Sequence, residues 1–223
     1  MNNPHQDRIL KSMQALSQAH SPWTVFSDFV ELAAIAIANS VNYLEFEPRE
    51  RRYLEVINRY QPEEQKQFSE MLGDLVLALE REITDILGEI FHQLKLHDHY
   101  KSQFFTPQHI CRMMAEILIG DIENEIAERG YISANEPACG SGAIVLGVAK
   151  VMEENKLNYQ KQLYVEACDI DIKCVHMTYL QLALCGIPAV VIHGDSLTQK
   201  EWSRWYTPMY MVDGWVWKIR KRT

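Results

Sequence analysis

An α/β architecture is what this sequence predicts: a parallel sheet with crossover helices, preceded by an all-helical region. Three observations carry the prediction. Up to about residue 98, apolar residues recur at steps of three and four, the period of a helix with one buried face. Beyond that point, three short apolar runs alternate with helical segments, as strands joined by crossover helices do. Each of these runs ends in an acidic residue, at the sheet edge where such folds bind ligands. The division falls at residues 1–98 and 99–223.

In the first region, Ser21 and Pro22 mark a helix start, with serine as cap and proline where its missing N–H costs nothing. Phe26, Phe29, Val30, Ala33 and Ile37 form the apolar face of that helix. Glu47-Pro48 opens a second helix, striped by Tyr53, Leu54, Ile57 and Tyr60. Gln61-Pro62-Glu63-Glu64 opens a third that runs to about Leu79 and buries Phe68, Met71, Leu72, Leu75, Val76 and Leu79. A fourth, from Asp85 to about Leu96, buries Ile86, Leu87, Ile90, Phe91 and Leu94. Aromatic and methionine side chains at this spacing read as core. His92, His97 and His99 lie close in sequence, but no carboxylate or fourth ligand at a defined spacing accompanies them, so no metal is assigned.

Lys101 to Pro107 interrupts the helical pattern, and Pro107 restricts Thr106 to extended backbone. Periodicity resumes over Gln108 to Leu118, with Thr106 at the N-cap, where a hydroxyl and unpaired N–H groups can hold a carboxylate. Phe104 and Phe105 can flank a ring there; a capped helix with two core aromatics accounts for the same residues. Tyr131-Ile132-Ser133 then leads, as a strand, into Glu136-Pro137-Ala138-Cys139-Gly140-Ser141-Gly142, and Ala143 to Ala149 follows as a helix. Glycine lets such a turn approach a ligand closely and take positive φ. Glu136 repels a pyrophosphate but pairs with an ammonium group, and Gly140-Ser141-Gly142 matches neither dinucleotide-binding nor P-loop spacing. A cationic, adenosine-bearing cofactor fits better.

Gln162 to Cys168 reads as the second strand, ending at Asp169-Ile170-Asp171, and a helix from about Lys173 to Cys185 follows. Ala189 to His193 is the third strand, ending at Gly194-Asp195-Ser196-Leu197. Asp169 or Asp171 is placed to accept hydrogen bonds from ribose hydroxyls, Asp195 to accept from an adenine amino group, and Ile170 and Leu197 to cover the faces of that ring. A strand-end acid that merely caps the next helix explains any single one of these positions equally well.

Composition narrows the function. The chain has 223 residues, with 47% hydrophobic and 23% charged, which is enough to bury a full core. Its net charge of −8 argues against an unaided grip on duplex DNA, which calls for a broad basic surface. A nucleic-acid role therefore needs a local patch or a partner chain; Lys218, Arg220, Lys221 and Arg222, near Trp215 and Trp217, form a basic tail that can contact phosphate, while a solvated terminus accounts for the same residues. Cys111, Cys139, Cys168, Cys174 and Cys185 contain no C-x-x-C pair, so neither zinc nor a disulfide framework is expected. No signal peptide is apparent, and the longest apolar run, Leu32 to Ala38, falls short of the ~20 residues of a membrane span. A reducing cytoplasm is the expected compartment.

Taken together, Asp85-Ile86-Leu87-Gly88, Gln103-Phe104-Phe105-Thr106-Pro107, Glu136 to Gly142, Asp169-Ile170-Asp171 and Gly194-Asp195-Ser196-Leu197 resemble, in order and spacing, the N6-adenine DNA methyltransferases, in particular the modification subunits of type I restriction systems. The resemblance implies a truncated Rossmann-like methyltransferase domain that binds S-adenosylmethionine. It places Thr106 near the methionine carboxylate and Glu136 near the amino group, and counts Phe105, Pro137, Ala138, Cys139, Gly140, Ser141 and Gly142 among the cofactor-binding residues. It places Asp169 with Ile170 at the ribose and adenine, Asp171 as the alternative ribose ligand, and Asp195, Ser196 and Leu197 at the adenine.

The family carries an Asn/Asp/Ser-Pro-Pro-Tyr/Phe tetrapeptide after a fourth strand to hold the target base. Its nearest echo here is Thr207-Pro208-Met209-Tyr210, which makes Thr207, Pro208 and Tyr210 the candidate catalytic residues, while Glu201 to Tyr206 reads as a poor buried strand. Few residues remain after Tyr210 for further strands or for recognition of a DNA sequence, so a partner protein is expected to supply it. Two functions follow from this reading. One is adenine-N6 methylation of DNA, whole or as one subunit. The other is a methylase-like binding protein that senses or sequesters the cofactor or interferes with restriction.

Overall fold

Proline at a first helical position recurs along the N-terminal half, and each instance opens a helix in the computed structural model, which describes residues 3–96, 106 and 108–220. Helix α1 (Pro4–Leu16) is capped by Asn3, whose side chain accepts from the His5 N–H at 3.2 Å. Asn3-Pro4 and the buried Ile9, Met13 and Leu16 are the local signal of this helix, which precedes those expected from the sequence. Helix α2 (Pro22–Asn39) starts on Ser21, whose Oγ accepts from Thr24 N at 3.1 Å. After a 3₁₀ turn at Tyr43–Glu45 come α3 (Phe46–Ile57), α4 (Pro62–Arg81) with a capping box between Gln61 and Glu64, and α5 (Ile86–Gln93). Helix α1 packs on α2 and α4, and α2 on α3. Phe26, Phe29, Met71, Leu75, Leu87 and Ile90 fill this core. Tyr60 donates to the buried Asp28 carboxylate at 2.8 Å, and burial raises the pKa of both groups.

These helices form one compact unit, Met1–Glu82 with Ile86–Phe104; the second unit is Ile83–Asp85 with Phe105–Thr223. Three residues just ahead of α5 thus pack with the second unit. That unit begins with α6 (Gln108–Arg129), which packs on α7 (Ala143–Glu154) and is longer than the periodicity of residues 108–118 indicates. Strand β1 (Ile132–Glu136) is followed by α7, the short α8 (Tyr159–Gln162), β2 (Leu163–Asp169), α9 (Ile172–Leu184) and β3 (Ala189–Asp195). The sheet order is β1-β2-β3-β4, with the first three strands parallel as expected.

Strand β4 (Lys200–Tyr206) is the departure. It runs antiparallel to β3, with Asp195 opposite Lys200 and Val190 opposite Tyr206. Its mostly exposed side chains are those of an edge strand, which is why it reads poorly as a buried one. Alternate residues of the sheet serve two layers. Trp205, opposite the fully buried Val191, packs edge-on against His176 of α9 at 4.7 Å and tilted against Tyr179 at 5.5 Å. On the other face Val190 and Ile192 meet Tyr210 and Trp215 from two short helices, α10 (Pro208–Val212) and α11 (Trp215–Arg220). No helix among the described residues is long and apolar enough to cross a membrane.

Candidate cofactor site

Register places the strand-end acids in a staircase. Glu136 lies opposite Ala167, so Asp169 stands two residues further along; Asp169 lies opposite His193, so Asp195 stands two further again. Side chains two apart share a face, strands lie about 4.8 Å apart and each residue advances about 3.3 Å, so the three carboxylates line one oblique edge about 16 Å long. This is the carboxyl edge of the parallel strands.

Backbone strain and hydrogen bonds shape the turn at the lower step. Gly140 and Gly142 hold φ of 53° and 90°, the left-handed region that side chains disfavour. At Gly142 a Cβ would lie 3.2 Å from Thr178 Oγ1. Cys139 N–H donates to Cys168 O at 2.9 Å, Gly142 N–H to Cys139 O at 2.8 Å, and Gly140 N–H to Asp169 Oδ2 at 2.9 Å. From behind, Thr178 Oγ1 donates to Gly140 O at 2.9 Å and Gln181 Nε2 to Ser141 O at 2.8 Å. Pro137 and Ala138 are exposed, and Glu136 Oε1 accepts from Ala138 N at 3.2 Å. Cys139 is buried, and burial pushes its thiol pKa up, so it is a packing residue with no thiolate chemistry.

The two aspartates after β2 have different partners. Asp171 caps α9, accepting from Lys173 N at 2.9 Å and pairing with Lys173 Nζ at 3.5 Å. Asp169 accepts from Gly140 N and, at 2.9 Å, from Asp171 N. The Ile170 N–H also faces this carboxylate; with about four lone-pair sites on a carboxylate, acceptor capacity remains for a hydroxyl donor. Burial raises the Asp169 pKa, offset in part by those N–H donors. Asp195 accepts from Leu197 N at 3.0 Å and Thr198 N at 3.3 Å, and the Thr198 hydroxyl and these N–H groups hold its pKa below the usual value. Ser196 is exposed beside it. Ile170 and Leu197, both apolar, are 64% and 94% exposed. Two aliphatic side chains held in solvent at adjacent strand ends suit the two faces of a planar ring.

Thr106 is half-buried, and its carbonyl accepts from Cys111 Sγ at 3.7 Å. Phe105, with Phe104, Pro107, His97 and His99, lies outside the described residues, as do Lys221 and Arg222. Lys218 pairs with Asp213 and sits 4.6 Å from the Trp215 ring. No group of three or more potential metal-ligating side chains occurs among the described residues.

The tetrapeptide stands elsewhere. Because β4 is antiparallel, its far end returns to the amino end of β3, and Thr207 N–H donates to Ala189 O at 3.0 Å. Thr207 is fully buried; its hydroxyl accepts from Ala189 N at 2.8 Å and donates to Ile187 O at 2.8 Å. Pro208 opens α10, and Tyr210 is 8% exposed, stacked on Tyr206 at 5.4 Å. Ala189 and Asp195 are the two ends of β3, some 20 Å apart at about 3.3 Å per residue. Thr207, Pro208 and Tyr210, expected to hold a base beside the cofactor, thus stand at the opposite end of β3 from the strand-end acids, where Thr207 ties β3 to the chain end of β4.

Other residues that shape this edge have no role assigned from the sequence, although Asp85 heads the Asp85-Ile86-Leu87-Gly88 motif. Trp202 is the extra residue of a β-bulge between the pairs His193–Ser203 and Gly194–Glu201, and its ring lies 4.6 Å from that of His193. Asp85, Thr178 and Gln181 support the turn from within the core. Thr178 and Gln181 are spaced by three on a helix and so share a face, the one sequence cue available for them.

Comparison with known proteins follows the same outline. The profile of the N-6 DNA methylase family matches residues 82–213. The methylase subunit of the type I restriction enzyme MpnII of Mycoplasma pneumoniae is 31% identical over 110 residues, 47% of this chain and 18% of that subunit. The match thus spans under a fifth of the relative. A solved structure described as a class I S-adenosylmethionine-dependent methyltransferase of Listeria monocytogenes aligns with 88% of this chain and 55% of its own, with a TM-score of 0.49 and 14% identity.

Proposed function

Since the chain belongs to the N-6 DNA methylase family, we propose that its second unit is the S-adenosylmethionine-binding half of an adenine-N6 DNA methylation system, acting with a partner protein that supplies the base-holding residues and DNA recognition. The observation that carries this reading is the staircase of Glu136, Asp169 and Asp195 flanked by the solvent-exposed Ile170 and Leu197. When bound, the cofactor supplies an electrophilic methyl group. Glu136 pairs with its ammonium, the Gly140–Gly142 turn admits its methionine end, and Thr106 serves the carboxylate. Asp169 uses its remaining acceptor capacity for the ribose hydroxyls, since Asp171 is committed to α9 and Lys173. Asp195 accepts from the adenine amino group between Ile170 and Leu197.

A second reading has a specific observation behind it. With Tyr210 buried at the far end of β3, no aromatic of that tetrapeptide reaches the cofactor edge. A protein that senses or sequesters the cofactor, or interferes with restriction, needs only the half present here. Calorimetric titration tests what the two readings share: wild type binds S-adenosylmethionine, Asp195→Ala binds at least about tenfold more weakly, a loss of about 1.4 kcal/mol, and absence of binding at millimolar cofactor refutes both. Transfer of labelled methyl to unmethylated DNA, with the chain alone and with a type I specificity subunit, separates them. Transfer in neither case favours the binding protein.

A further inference from the structure

Resting on the cofactor reading above, we propose that Asp85 is the positioning residue of the glycine turn, setting from inside the second unit the backbone shape to which S-adenosylmethionine binds. Asp85 precedes the turn by the whole of α5, α6 and β1, yet it packs with the turn's unit. It is 6% exposed, and Ser141 and Gln181, which it touches, are fully buried or nearly so. Ser141 Oγ donates to Asp85 Oδ2 at 2.5 Å, and Gln181 Nε2 donates to Asp85 Oδ1 at 2.9 Å and to Ser141 O at 2.8 Å.

The chemistry of these groups makes the arrangement directional. A carboxylate and a carbonyl accept only, and the NH₂ end of an amide donates only. Asp85 and Ser141 O therefore both require the same end of Gln181, and together they fix which way that amide points. Were Asp85 replaced by an apolar residue, Gln181 and the Ser141 hydroxyl would each lose their carboxylate acceptor, and the hold on the turn would loosen. The Ser141 hydroxyl is fixed by the other carboxylate oxygen. Thr178, on the same face of α9, holds Gly140 O at 2.9 Å. With both carbonyls drawn toward α9, the trans-planar peptide linking Gly140 to Ser141 turns its N–H away from that helix. The left-handed Gly140 and Gly142 are kept in place by this pull, since an unanchored glycine pair has many alternatives.

Amide hydrogen exchange on the full-length chain without cofactor, followed by titration with S-adenosylmethionine, tests the proposal. In Asp85→Ala, exchange across residues 138–145 accelerates at least about tenfold while residues 189–195 keep their rate, and cofactor affinity falls by a similar factor. Asp85→Asn restores both to within about threefold of wild type, because its oxygen still meets Gln181 and its NH₂ meets a reversed Ser141 hydroxyl. A residue that served only general stability would show a lowered melting temperature with exchange raised throughout the unit and no such rescue. Wild-type exchange at 138–145 in Asp85→Ala overturns the proposal, as does an Asp85→Asn protein that loosens the turn as much as alanine does. Should Asp85→Ala fail to fold, Ser141→Ala makes the comparison: local acceleration supports the proposal and an unchanged rate refutes it. If wild type itself does not bind S-adenosylmethionine, the cofactor reading falls, while the exchange data still decide the role of Asp85.

Discussion

Asp169 is the side chain at which the fold and the proposed ligand meet. Its carboxylate receives Gly140 N–H and Asp171 N–H, and burial raises its pKa above that of a free aspartate. A carboxyl whose folded pKa lies above its unfolded value favours the folded state at low pH, and that contribution is lost as pH rises through the folded pKa. On the proposed reading, cofactor affinity runs the other way, since the ionised form is the better acceptor for ribose hydroxyls. Titrations at decreasing pH should therefore weaken S-adenosylmethionine binding at a pH above the ordinary aspartate range, and Asp169→Asn should bind weakly with that pH dependence flattened. Thr207 and Tyr210 give the converse case. Thr207→Val strands Ala189 N–H and Ile187 O in the core and should cost about 1–3 kcal/mol. Tyr210→Ala empties a packed aromatic site and should cost about 3–5 kcal/mol. Denaturant unfolding measures both; cofactor affinity should stay within about twofold in each, and a larger loss would return these residues to the site.

At the scale of elements, β4 decides where the tail of the chain goes. Its pairing with β3 begins at Asp195–Lys200 and is bulged between His193 and Gly194. Gly194 permits this approach, because a Cβ there would lie 2.7 Å from Lys200 O. Gly194→Ala should destabilise the protein by about 1–3 kcal/mol through overpacking against backbone. Increased near-ultraviolet signal change at Trp202 and Trp205, together with a lower unfolding midpoint, is the expected readout. The same substitution displaces the Asp195 to Thr198 turn, so adenine-dependent affinity should fall alongside stability.

For the molecule as a whole, charge sets the limit. At a net −8 the chain offers duplex DNA little counterion release, and its binding should be in or weaker than the nonspecific range of about 10⁻⁴–10⁻⁶ M at physiological salt. Fluorescence anisotropy with labelled duplex checks this, and sub-micromolar retention by the chain alone would show that no partner is required for DNA binding.

Periodicity, caps and strand-end acids are local properties, and they made most of this molecule readable from sequence. Ser21-Pro22, the Gln61–Glu64 box, the three parallel strands and the order of Glu136, Asp169 and Asp195 all follow from residues within a few positions of one another. The helix at Asn3-Pro4 carries a local signal of the same kind. Two features were decided only by tertiary structure. The direction of β4 depends on which sheet edge accepts it, and one reversal moves Thr207 and Tyr210 from the cofactor edge to the opposite end. The Asp85, Ser141 and Gln181 network joins residues far apart in sequence that carry no shared local pattern, because a buried acceptor selects its donors by position in space.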